Sequence, residues 1–417
     1  MLYERWCEVA AKQPKVLALR DVPSGQQWTF SELHAAGERY DAGGGETIYP
    51  HGHSPEFIFA VLSAWRRGKI VCPLEAGQPA PAISTPPPPC VHIKTTSATT
   101  GVARQIAFTS EQLAADAENI VATMGLRPDW PNLGTILMAH SYGFSNLVLP
   151  LLLHGIPLIL LHSPLPEVVR RVSENETAVT LAGVPALWRV WHNANAISDN
   201  VRLAISAGAP LESNLELAVF DSVGVKIHNF YGSSECGGIA YDSTDAPRTD
   251  DACAGSPMKN VDLSLNKKGC LVVQSNAVGE TYWPAPMETL ARGRFETNDL
   301  AEVKDGNVFL RGRSCDLINV AGRKVSPSAI ERELAQHSAV SECLIFGAPD
   351  REGERGEVIV ACIVISSPVT GESLKQFLMQ RLPAWQLPRE WWFVDSLQPN
   401  RIGKVSRVDW RARWLEK

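Results

Sequence analysis

The sequence lacks the features that mark several large protein classes. It has no excess of charge of one sign, because 39 Lys and Arg face 45 Asp and Glu for a formal net charge of −6. A nucleic-acid backbone or an anionic membrane surface is usually held by a basic field, and this chain has none overall. The most apolar stretch, 147–161, is too short to span a bilayer and contains two prolines and a histidine. We therefore expect no nucleic-acid partner and no membrane span.

Cysteine patterns for disulfides or for zinc are also missing. The nine cysteines are an odd number, and no two of them form a CxxC pair. Such scattered cysteines are typical of reduced thiols rather than of a disulfide framework or a zinc site. The first residues contain no basic segment followed by an apolar core, so no signal peptide is expected. Together these observations predict a cytoplasmic protein.

The chain does have the length and apolar content for two domains. It contains 417 residues, of which 45% are hydrophobic, and such a chain is long for one domain. Up to about residue 310, β-rich runs such as 135–138, 201–206 and 270–273 alternate with helical patterns. Beyond Gly312 the pattern changes to strand–helix–strand–strand–helix. We therefore predict an α/β fold, with a large domain of β-sheets and packed helices over residues 1–312 and a small α+β domain over residues 313–417.

A proline-rich segment covers about residues 79–89. Consecutive prolines favour the extended polyproline II conformation and exclude helix. We interpret this segment as a stiff surface connector, since proline runs act as semi-rigid spacers. A PxxP-type ligand for a partner domain is the alternative.

A loop rich in small hydroxyl residues lies between two β-like runs, 91–94 and 105–108. Small residues allow the backbone to curl so that several N–H groups point at one anion. The hydroxyls add donors, and the guanidinium of Arg104 offers a fork that suits phosphate oxygens. The GxxxxGK[ST] spacing of the Walker loop is absent, and a plain surface turn has the same composition. The loop residues that could bind phosphate are Thr96, Ser97, Thr99, Thr100 and Gly101.

The segment 229–235 directly follows a predicted strand. A turn at the end of a strand projects an aromatic ring, hydroxyls and a carboxylate into one cleft. The ring of Tyr231 could stack on a base, Ser234 could bond a phosphate, and Glu235 could hold Mg²⁺. An aromatic loop with a solvated carboxylate is the alternative.

Two further segments carry groups that suit a nucleotide. Asp299 lies in the segment 295–300, and a carboxylate at a strand end is the usual means of binding both ribose hydroxyls. A turn-capping Asp is the alternative. Lys404 lies in a basic segment with a glycine near the C-terminus, where a Lys can swing into a cleft and neutralise developing phosphate charge. A solvated basic tail would have the same sequence.

Taken together and in this order, the four segments resemble the acyl-adenylate-forming superfamily. That group includes the acyl-CoA synthetases, the adenylation domains of nonribosomal peptide synthetases and firefly luciferase. The segments resemble the family's TSGTTGxPKG, YGxTE, TGD and sGKxxR motifs. Residues 312–331 resemble its long GRxDDxIKxxGxRIxPxEIE motif, and residues 206–211 resemble its GGAPL turn beside the adenine. Weaker similarity reaches both ends of the chain.

The resemblance implies that ATP and Mg²⁺ bind at these motifs. The β- and γ-phosphates would lie in the loop 96–101 beside Arg104. Ser234 and Glu235 would meet the α-phosphate and Mg²⁺, and Lys404 would bridge the substrate carboxylate and the α-phosphate during adenylation. The residues that would hold the adenine and the ribose are Gly208, Ala209, Pro210, Asn229, Tyr231, Gly232, Asp299 and Arg313.

The resemblance also implies a second half-reaction. In it the small domain would rotate and admit a pantetheine thiol, either of CoA or of a free-standing acyl carrier protein carrying phosphopantetheine. Cys315 would be the hinge, and Gly322 and Lys324 would line the thiol tunnel. The small domain is therefore expected to be mobile.

Several positions depart from the family's pattern. Ala98 replaces a glycine of the phosphate loop and Arg104 replaces its lysine, which keeps a cation and could slow or reshape pyrophosphate binding. Asn298 replaces the glycine of TGD, and Cys315 stands where the hinge is usually Asp or Lys. The segment between Leu74 and the phosphate loop is short, so we expect the large domain to be shortened.

The segment 138–145 resembles the family's substrate-gate motif and bears on which acid is activated. Amino-acid-activating members carry an Asp after the aromatic residue, whereas here Ser141 follows His140 and no acidic residue occurs in 133–166. An unpaired buried ammonium is costly, so we predict an acid without an α-amine, and an aryl, hydroxybenzoate-like acid in particular. A flat ring would fit beside two glycines of the pocket. The expected pocket residues are His140, Ser141, Phe144, Ser206, Phe230, Gly237 and Gly238.

Alternatives from other functional classes stay open. Ala98 and Arg104 motivate a catalytically degenerate module that only binds a nucleotide or a carrier protein, whereas Glu235, Asp299 and Lys404 oppose it. A small or fatty acyl acid is the alternative substrate, and adenylation without thioester transfer is the alternative reaction. The sequence predicts an AMP-forming acid–thiol ligase that releases pyrophosphate and passes the acyl group to a pantetheine thiol.

Overall fold

The computed structural model describes residues 1–83, 86, 89–95, 104–349, 357–398 and 405–417. Within these ranges the helices are α1 (Leu2–Lys12), α2 (Phe30–Arg39), α3 (Pro55–Arg66), α4 (Ser110–Met124), α5 (Ser141–Gly143), α6 (Leu149–His154), α7 (Pro166–Glu174), α8 (Pro185–Asn193), α9 (Ser213–Val223), α10 (Pro327–Ala335), α11 (Gly371–Met379) and α12 (Arg407–Leu415). A π-helical turn, Phe144–Val148, joins α5 to α6, and a 3-10 turn spans Ala384–Gln386.

The strands in the same ranges alternate with these helices along the chain. They are β1 (Leu17–Asp21), β2 (Gln27–Thr29), β3 (Thr47–Ile48), β4 (Ile70–Val71), β5 (His92–Thr95), β6 (Gln105–Phe108), β7 (Asn132–Gly134), β8 (Leu158–Leu160), β9 (Val179–Gly183), β10 (Val201–Ser206), β11 (Ile227–Ser233), β12 (Gly237–Tyr241), β13 (Cys253–Pro257), β14 (Asp262–Leu265), β15 (Cys270–Gln274), β16 (Thr281–Trp283), β17 (Leu290–Ala291), β18 (Arg294–Lys304), β19 (Asn307–Arg313), β20 (Ile318–Val320), β21 (Arg323–Val325), β22 (Val340–Pro349), β23 (Glu357–Ile365) and β24 (Glu390–Phe393).

One large sheet forms the centre of the fold. Its strand order is β14-β15-β18-β19-β13-β12-β11-β10-β9-β7-β8-β1-β2, with β17 paired to β18. A second sheet has the order β16-β6-β5-β4-β3. In the described part of the chain the strands after β19 pair among themselves, as the β20–β21 hairpin and the sheet β22-β23-β24. The predicted α/β class is therefore confirmed, with a large sheet-and-helix body and a smaller α+β body built from the C-terminal strands.

The apolar stretch 147–161 folds as the end of the π-helical turn, helix α6 and strand β8. Helix α6 ends at Gly155, whose φ of 69° is the left-handed conformation that glycine adopts without strain. This break divides the stretch into two short buried pieces. No helix in the described ranges is long and apolar enough to cross a membrane.

Two compositional features of the sequence fall partly or wholly within the described ranges. Residues 79–83 of the proline-rich segment form neither helix nor strand, and residues 84, 85, 87 and 88 lie outside the described residues. All nine cysteines are described, and all are free thiols. The thiols vary in exposure from buried Cys72 to exposed Cys315, so cysteine contributes to the packing here without cross-linking the chain.

Helix α4 is fixed at both ends by its own sequence. The hydroxyl of Thr109 accepts the N–H of Gln112, and the Gln112 amide oxygen accepts the N–H of Thr109, which forms a capping box. Gly125, with φ 68°, ends the helix in the left-handed conformation. The buried face of α4 contains apolar residues such as Leu113, but also Asp116, which is 1% exposed. A carboxylate this buried requires partners, and they lie at the site described below.

Strands β9, β10 and β11 run parallel in the large sheet. Ser206 at the end of β10 lies opposite Gly183 of β9 and Asn229 of β11. Parallel strands end at one edge of a sheet, where ligands of open α/β sheets usually bind. The turn after β10 and the last residues of β11 therefore lie at the same edge.

The strand predicted over residues 135–138 is wrong, because the strand in this region is β7, Asn132–Gly134. The hydroxyl of Thr135 donates a hydrogen bond to the carbonyl of Ala182 on the neighbouring strand. The side chain of Thr135 thus makes a hydrogen bond to β9 that a backbone N–H would make if β7 continued. The chain leaves the sheet at this point and proceeds to α5.

A buried charge cluster, Glu216, Lys226, Asp242 and Arg248, lies next to the ends of β11 and β12. Lys226 Nζ donates to Glu216 and, at 2.6 Å, to Asp242 Oδ2, while Arg248 Nε donates to Glu216 Oε2 at 2.8 Å. Arg248 also donates to the carbonyl of Leu211, at 2.8 Å. Burial alone would raise the pKa of Asp242, but the hydrogen bonds and charge of Lys226 outweigh it and hold that pKa below its usual value. Two cations balance two carboxylates, so no ion in the cluster is uncompensated.

We predict that Lys226→Met destabilises the protein far more than the same change at a surface lysine. Removing one cation leaves an unbalanced carboxylate in a buried place, which costs about 3–5 kcal/mol. Lys69→Met is the control, because its partner Glu46 is 82% exposed and such pairs contribute about 0–1 kcal/mol. Urea denaturation of both variants measures the difference, and equal losses would contradict the assignment.

Candidate active site

Asp299 on β18 is contacted by side chains from two other strands, β19 and β11. Arg313 lies directly opposite Asp299 in the β18–β19 ladder, and its Nε donates to Oδ1 at 3.1 Å. Tyr231 of β11 donates its hydroxyl to Oδ2 at 2.5 Å. Burial and the neighbouring Asp299 charge raise the pKa of Tyr231 well above 10, so the phenol stays protonated and remains a donor. Each carboxylate oxygen can accept more than one hydrogen bond, so Asp299 keeps acceptor capacity for a diol.

The structure corrects where two of these residues lie in their elements. The segment 229–235 was expected as a turn after a strand, but Tyr231 lies within β11, opposite Ala240 of the antiparallel strand β12. Asp299 was expected at a strand end, but it lies inside β18, next to an irregularity in the pairing between Leu300 and Ala301. Hairpin pairing extends β18 past its motif and carries β11 as far as Ser233 within the segment 229–235, and a bulge of this kind re-aims a side chain without ending the strand.

Ser234 and Glu235 lie in the turn between β11 and β12. Ser141 Oγ donates to Ser234 Oγ at 3.0 Å, which links the predicted substrate gate to this turn. Glu235 is held twice by one neighbouring segment: its carbonyl accepts the N–H of Gly279 at 2.8 Å, and its Oε1 accepts the hydroxyl of Tyr282 at 3.0 Å. One carboxylate oxygen of Glu235 is therefore oriented, while the other keeps its acceptor capacity.

Tyr282 is a site residue that the sequence motifs do not predict. It lies on β16, which pairs with β6, the strand that follows the phosphate-binding segment. The guanidinium of Arg104 lies 5.3 Å from the centre of the Tyr282 ring, a cation–π distance. Tyr282 thus connects Arg104 with Glu235, two groups that the motifs assign to different phosphates. No local pattern indicates this contact, which arises from strand pairing.

The turn 208–210 follows β10 at the same sheet edge and is exposed. Gly208 has φ +85°, which favours glycine. Ser206 Oγ, just before the turn, is fully buried and has no hydrogen-bond partner in the described part of the chain. Asn229 on the adjacent strand donates to the carbonyl of Cys253 at 3.2 Å. The carbonyl of Leu211, just beyond the turn, is anchored by the buried charge cluster described above.

The predicted acid-pocket residues lie between this edge and α4. Phe230 packs against Tyr142, with ring centres 5.8 Å apart. His140 is exposed, and its Nε2 lies 3.4 Å from Glu75 Oε1. Phe144 is 1% exposed and lies 4.5 Å from the ring of His92, so it forms part of the core behind the pocket surface.

The prediction of open space beside Gly237 and Gly238 is wrong. A Cβ on Gly237 would come within 2.0 Å of Asp116 Oδ1, and one on Gly238 within 2.3 Å of Met258 Sδ. Glycine is therefore required at both positions because the side chains of Asp116 and Met258 occupy the adjoining space. Only the thioether of Met258 is flexible enough to yield to a substrate. Neither residue was predicted, because neither belongs to a motif.

Some predicted site residues lie outside the described residues, and others lie apart from this cluster. Residues 96–101, which include Thr96, Ser97, Thr99, Thr100 and Gly101, lie outside the described residues, as does Lys404. Beside that loop the structure describes Arg104 and the pair Thr95 and Gln105, which lie opposite each other in the β5–β6 hairpin. Gly322 and Lys324 lie exposed in the β20–β21 hairpin, and Cys315 is exposed beside Asp316. No hydrogen bond or ion pair within the described ranges joins these three to Tyr231 or Glu235.

The donor set also decides how a divalent cation could be held. The described residues contain no group of three or more His, Cys, Asp or Glu side chains suited to a metal ion. Mg²⁺ is commonly bound by one or two carboxylates together with substrate phosphates and water. The single oriented carboxylate of Glu235 fits that mode, in which the nucleotide brings most of the ligands.

Two family models and curated relatives match this chain. The AMP-binding enzyme model matches residues 85–292, and the model of the AMP-binding enzyme C-terminal domain matches residues 329–404. Feruloyl-CoA synthase of Amycolatopsis sp is 28% identical over 343 residues, covering 76% of this chain and 69% of that protein. Fatty acid–[acyl-carrier-protein] ligase ScoC of Streptomyces coeruleorubidus is 31% identical over 263 residues, covering 56% of this chain and 50% of that protein.

The fold has close counterparts among solved structures. The crystal structure of ATP-bound MatB from Rhodopseudomonas palustris superposes with a TM-score of 0.86, covers 99% of both chains and is 19% identical. At that identity the likeness establishes the fold. The two family models together match well over half of the chain and contain most of the motifs described above. The chain belongs to the AMP-binding enzyme family, within the acyl-adenylate-forming superfamily.

Proposed function

We propose that the protein activates a carboxylic acid without an α-amine, most suitably a hydroxybenzoate-like aryl acid, with ATP. The products would be an acyl-AMP and pyrophosphate, and the acyl group would then pass to a pantetheine thiol of an acyl carrier protein or of CoA. The observation that carries the proposal is the arrangement around Asp299, held by Tyr231 and Arg313 with Glu235 in the adjoining turn. This arrangement places three groups at one edge of the sheet: a carboxylate that can accept hydrogen bonds from a diol, the face of an aromatic ring, and a carboxylate that can bind a metal ion.

The nucleotide would bind at the edge formed by β10 and β11. Asp299 would accept hydrogen bonds from the ribose hydroxyls, since its two bonded oxygens retain free lone pairs. The ring of Tyr231 would lie against one face of the adenine and the exposed turn 208–210 against the other. The buried, unpartnered hydroxyl of Ser206 supports a polar ligand at this edge, because buried polar groups normally find a partner.

The triphosphate would extend toward Arg104 and Glu235. The hydroxyl loop 96–101 lies next to Arg104 in the sequence, and Tyr282 connects Arg104 with Glu235. Mg²⁺, when bound with ATP, would neutralise phosphate charge, and Glu235 is the carboxylate that would hold it. Arg104 keeps the cation that the family's lysine supplies and presents a planar fork of N–H donors that suits phosphate oxygens.

The first step joins two anions, so charge repulsion is its main barrier. A carboxylate oxygen of the acid would attack the α-phosphorus, and the bond from that phosphorus to pyrophosphate would break. Lys404, placed by the family motif, would bridge the attacking carboxylate and the α-phosphate and offset the charge that develops. Ser234 would meet the same phosphate, and its hydroxyl is oriented by Ser141.

The second step would use the C-terminal part of the chain. A pantetheine sulfur would attack the acyl carbon, the C–S bond would form and AMP would leave. We place the domain boundary between residues 312 and 313, the hinge at Cys315, and the thiol path beside Gly322 and Lys324, on the strength of the family motif. The names of the two relatives, a CoA synthase and an acyl-carrier-protein ligase, support either acceptor.

The acid pocket supports an acid without an ammonium group. The carboxylate of Asp116 lies against the pocket glycines but is neutralised by Lys94, 3.7 Å away. The name of the feruloyl-CoA synthase agrees with an aryl acid. A small or fatty acyl acid is the second candidate, because Met258 fills space that a ring would need and the ScoC relative is named for fatty acids.

The proposal is tested by product analysis. The protein is incubated with ATP, Mg²⁺, a panel of aryl, aliphatic and amino acids, and either CoA or a phosphopantetheinylated carrier protein, and the products are identified by mass spectrometry. We expect AMP, pyrophosphate and one thioester with an acid that has no α-amine. An amino acid that outpaces every benzoate and fatty acid would contradict the assigned substrate class, and no turnover with any acid would favour a module that only binds.

We predict that Lys404→Ala lowers acid-dependent pyrophosphate release by at least about a hundredfold, because a charge partner of the transition state is lost. Thioester formation from supplied acyl-AMP should persist, since this lysine is withdrawn in the second step. Lys375→Ala is the matched control, because Lys375 forms only a surface pair with Glu372 on α11. Wild-type pyrophosphate release by the Lys404 variant would contradict the proposed first step.

We also predict that Asp299→Asn lowers kcat/KM for ATP by about 10- to 100-fold, the range expected when a charged hydrogen-bond partner is lost. The variant should discriminate less than the wild type between ATP and 3′-deoxy-ATP, because the group that reads the hydroxyl is weakened. Glu302→Gln is the control, since Glu302 pairs with Arg311 at 2.8 Å across the same two strands but is exposed. Undiminished discrimination in the Asp299 variant would refute ribose binding by this residue.

A further inference from the structure

A buried ion pair lies directly behind the glycines of the acid pocket. Lys94 Nζ on β5 is 3.7 Å from Asp116 Oδ2 on α4, and the two side chains are 3% and 2% exposed. The other carboxylate oxygen of Asp116 accepts the N–H of Gly238 at 3.3 Å. It also occupies the space that a Cβ on Gly237 would need. The pair therefore touches the pocket wall rather than lying elsewhere in the core.

A serine from the substrate-gate segment completes the pair. Ser145 Oγ donates to Asp116 Oδ2 at 2.5 Å, and it accepts a long hydrogen bond from Lys94 Nζ at 3.5 Å. Ser145 follows Phe144 and is the last residue of the substrate-gate segment 138–145. The ion pair is thus bound to both sides of the predicted pocket, through Gly238 on one side and Ser145 on the other.

A histidine beside this pair has unused hydrogen-bonding capacity. His92 lies two residues before Lys94 on β5, so both side chains point to the same face of the strand. It is fully buried, and neither ring nitrogen has a hydrogen-bond partner in the described part of the chain. Burial, together with the charge of Lys94, holds the pKa of His92 well below 6.5, so the ring is neutral at pH 7. A neutral imidazole offers one donor and one acceptor.

Fold stability alone does not account for this arrangement. Buried polar groups normally have partners, and an orphaned group calls for an explanation such as a ligand. A buried ion pair is often no more stabilising than apolar residues of the same volume. His92 packs against Phe144, with ring centres 4.5 Å apart, so its two free nitrogens lie in the core behind the pocket surface. A polar group of a substrate would satisfy them.

We propose that Lys94 and Asp116 set the charge of the acid that the enzyme accepts, and that His92 binds a polar group at the end of the acid remote from the reacting carboxylate. The proposal rests on the proposed function. The pocket would be polar at its inner end but electrically neutral. The substrate class is an acid whose far end is uncharged and forms hydrogen bonds, as a hydroxyl does.

The physical reason is the balance of charge at the inner end. An ammonium group would find its natural partner, Asp116, already neutralised and would meet Lys94. A second carboxylate would meet Asp116 in the same way. An uncompensated ion in a buried site is expensive, whereas a hydroxyl can bond to His92 at no electrostatic cost. The pair therefore rejects both kinds of charged acid.

The test uses two matched sets of four acids that differ only at the far end. The aryl set is benzoate, 4-hydroxybenzoate, terephthalate and 4-(aminomethyl)benzoate; the aliphatic set is pentanoate, 5-hydroxypentanoate, glutarate and 5-aminopentanoate. Acid-dependent pyrophosphate release gives kcat/KM for each acid with the wild type. In at least one set we expect the hydroxy acid to exceed both charged acids by at least about tenfold, and to exceed the unsubstituted acid as well.

Variants of the pair separate a role in specificity from a role in folding. Lys94→Met should raise the ratio of the amino acid to the hydroxy acid, and Asp116→Asn should raise the ratio of the diacid to the hydroxy acid, each by about tenfold or more. The double variant should return both ratios toward the wild-type values. His92→Phe should abolish the preference for the hydroxy acid over the unsubstituted acid. A structural role alone would not shift the two charged acids in opposite directions.

The controls distinguish the possible failures. Thermal unfolding and ATP affinity show whether each variant is folded, and Asp116→Asn preserves the shape of the side chain. Lys69→Met, at the surface, should leave all ratios unchanged. If the variants alter all acids by one common factor, the pair is part of the core and the inference is overturned, while the proposed function stands. If the wild type releases pyrophosphate with none of the eight acids, the proposed function itself is contradicted, and the inference with it.

Discussion

The proposed nucleotide site depends on one hydrogen bond, which Tyr231 donates to Asp299 across the large sheet. In the strand order, β11 and β18 are separated by β12, β13 and β19. In a flat sheet those two strands would lie about 19 Å apart, which is far beyond the reach of a tyrosine. The sheet must therefore bend sharply between them, and the bend brings Tyr231 and Asp299 into contact. Arg313 on β19 also donates to the carboxylate of Asp299. The strand of the large sheet that comes last along the chain is therefore joined to the same residue.

Charge is handled in two different ways in this protein. In the buried charge cluster, Lys226 and Arg248 each contact Glu216, and every ion is compensated inside the protein. Asp299 and Glu235 are held by neutral or exposed partners and retain lone pairs for a ligand. The first arrangement fixes the backbone next to the turn 208–210; the second leaves negative charge where a diol and a cation would need it. The ions that position the site are thus those whose charge is balanced inside the protein. The ions that would bind a ligand are those whose oxygens keep free lone pairs.

The sequence predicts the parts of the site that belong to continuous segments. The α/β class and the two strands around the phosphate loop follow from local patterns, and the motifs name Asp299 and Arg313, which the structure pairs across β18 and β19. Tyr282 and Asp116 could not be predicted in this way, because they reach Glu235 and Gly238 through contacts between residues 47 and 122 positions apart. The strand predicted over 135–138 is wrong for a similar reason, since the hydroxyl of Thr135 donates to a distant carbonyl of β9. Composition does not encode which strands become neighbours.

Different features of the sequence and of the structure support the proposal that the acid carries no ammonium group. In the sequence, the reason is that no acidic residue occurs in 133–166, the segment that would supply one. The fold brings Asp116 from α4 against the same pocket, so a carboxylate is present after all. Its charge, however, is balanced by Lys94 and its oxygens are occupied by Ser145 and Gly238. A pocket can therefore hold an ammonium group only if it contains a carboxylate whose charge is not already balanced. The presence of an acidic residue is not sufficient.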